Sequence, residues 1–175
     1  MVRIGAVCVW FLVGCLTIQA GDTPKASTVK KLAQQLGDWT IKGEYAKIID
    51  STYEGLVKEL GGRDKAIQIT EGIMKELADK GITFKSYKVG EPGKFHSKGD
   101  KTFVIVPTTV EMTIPDGKMI VTGYLLGISS NKGKTWTFAD GAGVSKKALR
   151  DKLFPQLPVD LKLPEIEKPK VIKDK

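Results

Sequence analysis

The stretch "KTFVIVPTTVEMTIPDGKMIVTGYLLGIS", residues 101–129, has the pattern of a long β-hairpin. Two runs rich in β-branched residues flank the dipeptide Asp116-Gly117, which is a strong short-range hairpin signal. Pro107 lies inside the first run and has no N–H to donate to a neighbouring strand, so the pattern predicts a bulge or an edge position there. An antiparallel sheet built around this hairpin is the first prediction for the fold.

Two further strand patterns flank the hairpin. Residues 82–89 are predicted to form a strand with Phe84 and Tyr87 on opposite faces, because side chains alternate along a strand. Residues 135–141 are predicted to form a last strand with Trp136 and Phe138 on one face. The sequence therefore predicts a sheet of about four strands.

Three amphipathic helices are predicted to precede the sheet. Residues 23–40, 45–60 and 64–81 each carry apolar side chains at three- and four-residue steps. Gly55 weakens the second pattern, so a kink is predicted there. Helices followed by strands indicate an α+β fold, in which three N-terminal helices pack on one face of a curved antiparallel sheet.

Several segments resemble those of one family when they are taken in this order. The segments are "GEYAKIID", "GGRDKAIQ", "KGITF", the hairpin through "IPDGK", and "GKTWTF". Residues 31–143 thereby resemble the nuclear transport factor 2-like superfamily, which includes the SnoaL-like proteins and ketosteroid isomerase. The resemblance implies a cone-shaped fold with a pocket between the sheet and the helices. The chain departs from many members at "KELGGRDKA", which leaves little room for the short strand pair that they insert before the third helix.

The resemblance also implies candidate pocket residues, because enzymes of the superfamily place an Asp, His or Tyr in the cone. We expect the pocket candidates to be Trp39, Tyr45, Tyr53, Tyr87, Glu111 and Tyr124. Aromatic residues at such spacings also suit an ordinary core. Glu111 either faces the cone, where burial would raise its pKa and suit it to act as a base, or faces outward and pairs with a lysine. His96, the one histidine, is predicted to lie exposed beside a turn.

No sequence motif indicates a cofactor or a metal. The chain has no P-loop, no nucleophile elbow and no cluster of residues with metal-ligand spacing. Accordingly, we expect no cofactor, no metal site and no assigned catalytic residue.

The stretch "SSNKGKTWTF", residues 129–138, fits the Asp-box pattern of sialidases, with Asn131 in place of the usual Asp. That motif recurs in the blades of propellers, whereas this chain carries one copy and too few strands for a propeller. The pattern therefore predicts a hairpin turn without glycan chemistry. Asn131 would bond nearby main chain, Gly133 would supply a positive φ, and Trp136 would cover the turn.

Residues 1–20 have the layout of a cleaved bacterial secretory signal, with a basic start at Arg3 and an apolar run after it. Two cleavage sites compete, one after Ala20 and one that would leave a lipidated Cys15 as the new N-terminus. An uncleaved anchor is the third alternative. The sequence thus predicts an exported protein, periplasmic or secreted, that meets a membrane only through its signal or lipid anchor. Cys8 and Cys15 both lie in the signal, so no disulfide is expected in the mature domain.

The chain is basic but its lysines are scattered. It has 175 residues with 28 Lys and Arg against 20 Asp and Glu, a net charge of +8. Removal of the signal with Arg3 would leave +7. The pattern favours solvated helix and loop faces, with attraction to acidic lipid headgroups or anionic polymers as the alternative. No nucleic-acid partner is expected, because no binding motif is present.

The domain is predicted to span residues 23–145, followed by a Pro- and Lys-rich extension over residues 146–175. The extension begins with a short helical pattern, and residues 153–164 are apolar enough to lie along the domain surface. The final lysines are predicted to be a disordered end, with a partner-binding tail as the alternative.

Three functions remain open at this level. The first is a non-catalytic binding or accessory module that holds an apolar or amphipathic small molecule in the cone. The second is a small enzyme of the isomerase, dehydratase or hydrolase type, which requires a buried polar pair in the pocket. The third is an assembly protein that forms a homodimer through an uncovered apolar outer face of the sheet.

Overall fold

The computed structural model describes residues 26–174, which form six helices and a six-stranded antiparallel sheet. The helices are α1 (Ala26–Lys42), α2 (Tyr45–Asp50), α3 (Glu54–Glu59), α4 (Arg63–Asp79), α5 (Gly141–Ser145) and α6 (Lys147–Leu153). The strands are β1 (Thr83–Val89), β2 (His96–Lys98), β3 (Lys101–Ile114), β4 (Gly117–Ser129), β5 (Thr137–Asp140) and β6 (Lys170–Lys173). The α+β class is confirmed, and four of the helices precede the sheet.

The hairpin β3–β4 forms the centre of the sheet, as predicted. Its register runs without a shift from Thr102 opposite Ser129 to Ile114 opposite Gly117. Strands β1 and β2 pair with the two halves of the outer side of β3, and β5 and β6 pair with the two halves of the outer side of β4. The six strands therefore form four rows. The two inner rows are β3 and β4, and each outer row consists of two strands placed end to end, β1 with β2 and β5 with β6.

Pro107 occupies an edge position within β3. It lies opposite Tyr124 without any register shift, and its carbonyl accepts the Gly90 N–H at 2.8 Å. The N and O atoms of one strand residue point to the same side, so the missing N–H of Pro107 faces the gap between β1 and β2. The bulge lies instead in β1, between Phe84 and Ser86.

Helix α1 covers one face of the sheet. Its buried residues Val29, Ala33 and Leu36 share a core cluster with Val104 and Val106 of β3. Trp136 and Phe138 join the same cluster, which confirms that they share a face. The removal of these apolar side chains from water stabilises the packing of α1 on the sheet.

The C-terminal segment covers the opposite face of the sheet. Phe154 and Leu161 are buried in a second cluster with Phe103 of β3 and with Leu126 and Ile128 of β4. The prediction that residues 153–164 lie along the domain is thus confirmed, and they contribute to the core.

The end of the chain forms a strand, so the prediction of a disordered end is wrong for Lys170–Lys173. This strand, β6, pairs with Gly117–Ile120 of β4, where the edge of the hairpin offers unpaired main-chain groups. Gly117 allows the approach, because a β-carbon there would lie 2.1 Å from the carbonyl oxygen of Ile172.

The second predicted helix is divided into α2 and α3. The break lies at residues 51–53, where the Tyr53 N–H donates to the Phe138 carbonyl at 2.8 Å and the Phe138 N–H donates to the Ser51 carbonyl at 2.9 Å. Contact with β5 thus holds residues 51–53 outside a helix. Gly55 follows this break and lies inside α3. The predicted kink at Gly55 is therefore wrong by a few residues, because the break follows from pairing with a distant strand.

The Asp-box-like stretch is a hairpin turn, as predicted. Gly133 has a φ of 87° and donates its N–H to Ser129 Oγ at 2.8 Å. Asn131 Oδ1 accepts the Thr135 N–H at 2.9 Å, and the Trp136 indole N–H donates to the Gly133 carbonyl at 3.1 Å. These bonds satisfy the turn internally.

Candidate functional site

A cavity of about 460 Å³ lies between the N-terminal helices and the sheet. Its volume is in the range of sites that bind small molecules. Aliphatic side chains from both layers make up most of its wall. Examples are Leu36, Ile49, Leu56, Met74, Val110 and Val121.

The alternation of side chains along β3 decides which residues reach the cavity. Thr108, Val110 and Met112 line it, whereas Glu111 does not. The Glu111 Oε1 atom lies 3.7 Å from the Lys118 Nζ atom. Glu111 as a pocket residue is therefore a wrong prediction, and the alternative of an outward carboxylate paired with a lysine is confirmed.

The bulge in β1 brings Phe84 and Tyr87 to the same face. They lie opposite Met112 and Val110 respectively, and both line the cavity. The prediction that they lie on opposite faces is wrong, because the bulge breaks the simple alternation.

Tyr87 is one of two predicted pocket residues that line the cavity. Its ring lies against Gly37 of α1, where a β-carbon would come within 2.3 Å of Cδ1. Burial is the main cause that raises the pKa of Tyr87, and the charge of Asp140 raises it further. A hydrogen-bond interaction with Thr108 opposes this shift. The hydroxyl therefore stays protonated at neutral pH.

Tyr124 is the other predicted pocket residue that lines the cavity. It is 2% exposed, and its ring packs on Gly141, where a β-carbon would lie 2.7 Å from Cε1. Its hydroxyl is buried without a hydrogen-bond partner among residues 26–174. Burial, and then the charge of Asp140, raise the pKa of Tyr124, and the charge of Arg150 opposes this shift.

Asp140 is the functional candidate that the sequence analysis missed. It ends β5 and is the N-cap of α5, where its Oδ1 accepts the Ala142 N–H at 2.9 Å. Its side chain lines the cavity and is exposed to solvent. Partial desolvation by the neighbouring protein raises the pKa of Asp140, and the N–H groups of Ala142 and Gly143 oppose this shift. An Asp directly after a strand and before small residues, as in "TFADGAG", was the available signal.

The cavity reaches the edge of the sheet beside Asp140. Residues 125–128 of β4 pair with β5 and residues 117–120 pair with β6. Residues 121–124 consequently have no strand partner on that side within the described part of the chain. Consecutive residues from Val121 to Leu125 line the cavity, as does Ile166 of the C-terminal segment. Asp140, paired with Leu125, borders this gap.

The structure places the other predicted pocket residues away from the cavity. Trp39 packs against the first core cluster, with the Lys47 ammonium 6.0 Å from its ring. Tyr45 lines two other depressions at the surface beside α4, and both are more open than the cavity. The Tyr53 ring lies 5.0 Å from that of Phe154, on the other side of the sheet. These three residues are therefore wrong predictions for the pocket, because tertiary packing uses their rings elsewhere.

His96 lies in β2 rather than in an exposed turn, and its side chain is 11% exposed. Its Nδ1 atom lies 2.8 Å from Asp160 Oδ2. This hydrogen bond lowers the pKa of Asp160. The pair joins the sheet to the C-terminal segment, and neither residue lines the cavity.

Residues 1–20, with the predicted signal and Cys15, lie outside the described residues. Among residues 26–174, no helix has the length and apolar character needed to cross a bilayer. The same residues contain no group of three or more His, Cys, Asp and Glu side chains that could hold a metal ion.

Comparison of the chain with family models, curated proteins and solved structures finds no match. The cavity itself is therefore the basis of the functional proposal.

Proposed function

We propose that the protein is a non-catalytic binding module that holds an apolar or amphipathic small molecule in the cavity between its helices and its sheet. The observation that carries this proposal is the cavity of about 460 Å³ with its mainly aliphatic wall. Apolar side chains that border a space of this size gain contacts when a ligand of matching shape fills it.

The helix side of the cavity is less polar than its threonines suggest. Thr40 donates its hydroxyl to the Leu36 carbonyl at 2.9 Å, and Thr52 donates to the Ile48 carbonyl at 2.9 Å. Thr70 does the same on α4. Because these hydroxyl donors are already bonded to main-chain carbonyls four residues earlier, the threonine methyl groups dominate what a ligand meets.

A small enzyme is the second candidate, and one observation favours it. Asp140 has a raised pKa and lies in a cavity that also holds Tyr87 and Tyr124, whose pKa values respond to its charge. A carboxylate in such a setting is suited to proton transfer. An enzyme requires a buried polar pair in the pocket, but Glu111 pairs with Lys118 outside it and the Tyr124 hydroxyl has no hydrogen-bond partner among residues 26–174, so binding is the preferred proposal.

Homodimer assembly through the outer face of the sheet has less support. Phe103, Leu126 and Ile128 would be the apolar centre of such an interface, but Phe154 and Leu161 already cover them. We therefore expect the protein to sediment as a monomer. A stable dimer that persists at low micromolar concentration would favour the assembly function.

We further propose that the fold is a nuclear transport factor 2-like cone and that residues 1–20 direct export to the bacterial envelope. The long hairpin beneath the N-terminal helices and the cavity between these layers support the first proposal. An intact mass of the protein from a bacterial envelope tests the second. A chain that begins at Gly21 or at a lipidated Cys15 is the expected result, and a full-length chain in the cytoplasm would contradict it.

Native mass spectrometry and displacement of N-phenyl-1-naphthylamine, a neutral apolar dye, test the binding function. We expect saturable dye binding and a retained small-molecule mass. Val110→Phe, which adds volume inside the cavity, should abolish both. Thr113→Phe is the matched control, because this exposed residue of β3 does not line the cavity and lies opposite Lys118 and Thr83, which do not line it either. Thermal unfolding of both variants checks that they are folded. Absence of saturable dye binding to the wild-type chain would refute the proposal.

A further inference from the structure

Asp140 is the one charged side chain that lines the cavity within the described residues. The other lining side chains are aliphatic, aromatic or hydroxylic, and none is Lys, Arg or His. The wall itself therefore presents a single formal charge, and its sign is negative; the Arg150 guanidinium does not line the cavity, although its charge acts on Tyr124.

Asp140 also lacks a cationic partner. Within residues 26–174, no Lys, Arg or His nitrogen lies within 4.0 Å of its carboxylate, although the chain has 28 Lys and Arg against 20 Asp and Glu. Its known partners are the main-chain N–H groups of Ala142 and Gly143. An ionised carboxylate can accept about four hydrogen bonds, so it has capacity left for a ligand donor.

Four aromatic rings line the same cavity as this carboxylate. They belong to Phe84, Tyr87, Tyr124 and Phe138. The face of an aromatic ring attracts a cation through its quadrupole, and the attraction increases where water is excluded. The rings and the carboxylate thus favour the same sign of ligand charge.

We infer that the cavity is selective for apolar molecules that carry one protonated amine, with the amine at Asp140 and the hydrocarbon body among the aliphatic side chains. The inference rests on the proposed binding function and names its ligand class. The same geometry disfavours fatty carboxylates, because their negative head would meet Asp140 and no Lys, Arg or His side chain lines the cavity beside it. An alcohol of the same length would bind with intermediate affinity, since it can donate a hydrogen bond but carries no charge.

Competition between three matched compounds tests this selectivity. Decylamine, decanol and decanoate have similar hydrocarbon chains and differ in the head group. Each compound is titrated into the protein with bound N-phenyl-1-naphthylamine at pH 7, and displacement of the dye gives its affinity. We expect decylamine to bind at least tenfold more tightly than decanol, and decanoate to bind most weakly. The comparison is stringent, because the net positive charge of the chain attracts decanoate nonspecifically.

Asp140→Asn should bring decylamine and decanol to within about twofold of each other, since it removes the charge and keeps a side chain that can accept a hydrogen bond. Glu111→Gln is the charge-matched control, because it lies on the other face of the sheet, and it should leave the tenfold preference unchanged. A preference that survives Asp140→Asn, or decanoate that competes as well as decylamine, would overturn the inference alone. Failure of the dye and all three compounds to bind would overturn the proposed function as well.

Discussion

Tyr53 donates its main-chain N–H to the carbonyl oxygen of Phe138 over 2.8 Å, and this bond ties the break between α2 and α3 to strand β5. The parallel bridge between Thr52 and Phe138 lies at the same place. Phe138 and Asp140 both line the cavity from this strand, as does Thr52 from the break. The contact that divides the predicted helix therefore also shapes the site.

Gly55 is required next to this break by the ring of Tyr53. A β-carbon at position 55 would lie 2.6 Å from Tyr53 Cε1, and that ring is held against Phe154. We expect Gly55→Ala to lower the free energy of unfolding by about 1–3 kcal/mol, because the added methyl group overpacks the contact. Chemical denaturation measures the change.

Gly72 provides the matched control for that substitution. It lies within α4 with no atom near its absent β-carbon. Gly72→Ala should therefore raise the free energy of unfolding by about 0.5–1 kcal/mol, as alanine does in a helix interior. Equal effects of the two substitutions would contradict a specific role for the Tyr53 ring.

Asp140 should make the protein less stable as the pH rises. Its pKa in the folded state lies above the ordinary value of 3.8. Between these two pKa values the folded state binds more protons than the unfolded state. Stability is lost as the pH rises through the folded-state pKa. Asp140→Asn removes this loss, so the variant should gain stability relative to wild type between pH 3.5 and pH 7, measured by urea denaturation.

Asp50→Asn should show the opposite trend. Arg63 donates two hydrogen bonds to Asp50, at 2.6 and 2.9 Å, and lowers the pKa of that carboxyl. Its stabilisation is present above the ordinary pKa and is lost as the pH falls through the lowered value. The same trend in both variants would show that the pH dependence does not arise at Asp140.

Leu161 should contribute strongly to stability, although it lies in the Pro-rich C-terminal segment. It is 7% exposed and belongs to the second core cluster. Leu161→Ala should lower the free energy of unfolding by about 2–5 kcal/mol through lost burial and a residual cavity. Val159→Ala, two residues away and 98% exposed, should change it by less than about 0.5 kcal/mol. Small effects at both positions would mean that the segment is detached in solution.

Asn131 should stabilise the turn through its side-chain oxygen. Asn131 Oδ1 accepts the Thr135 N–H and the Ser129 hydroxyl. Asn131→Ala should cost about 1 kcal/mol, the usual net worth of a hydrogen bond, whereas Asn131→Asp keeps both acceptor contacts and should cost less. Thermal unfolding distinguishes the two variants, and an equal loss in both would assign the effect to the amide N–H₂ instead.

The amino-acid sequence by itself determined the features that depend on neighbours in the chain. The hairpin through Asp116-Gly117, the turn at residues 129–138 and the two long helices were predictable, because local periodicity and turn chemistry specify them. The α+β class follows from their order. Tyr87 and Tyr124 were also among the pocket candidates that the family resemblance implied, and both line the cavity.

Tertiary structure decided the rest, because contacts between distant segments outweighed local preference. Pairing with β5 divided the second helix, a bulge in β1 turned Phe84 and Tyr87 to one face, and the free edge of β4 ordered the final lysines. Glu111 lies outside the cavity because its face of β3 is turned away from the helices. Asp140 is the charged residue that lines the cavity among the described residues. A period of two cannot distinguish these faces until the register of the whole sheet is known.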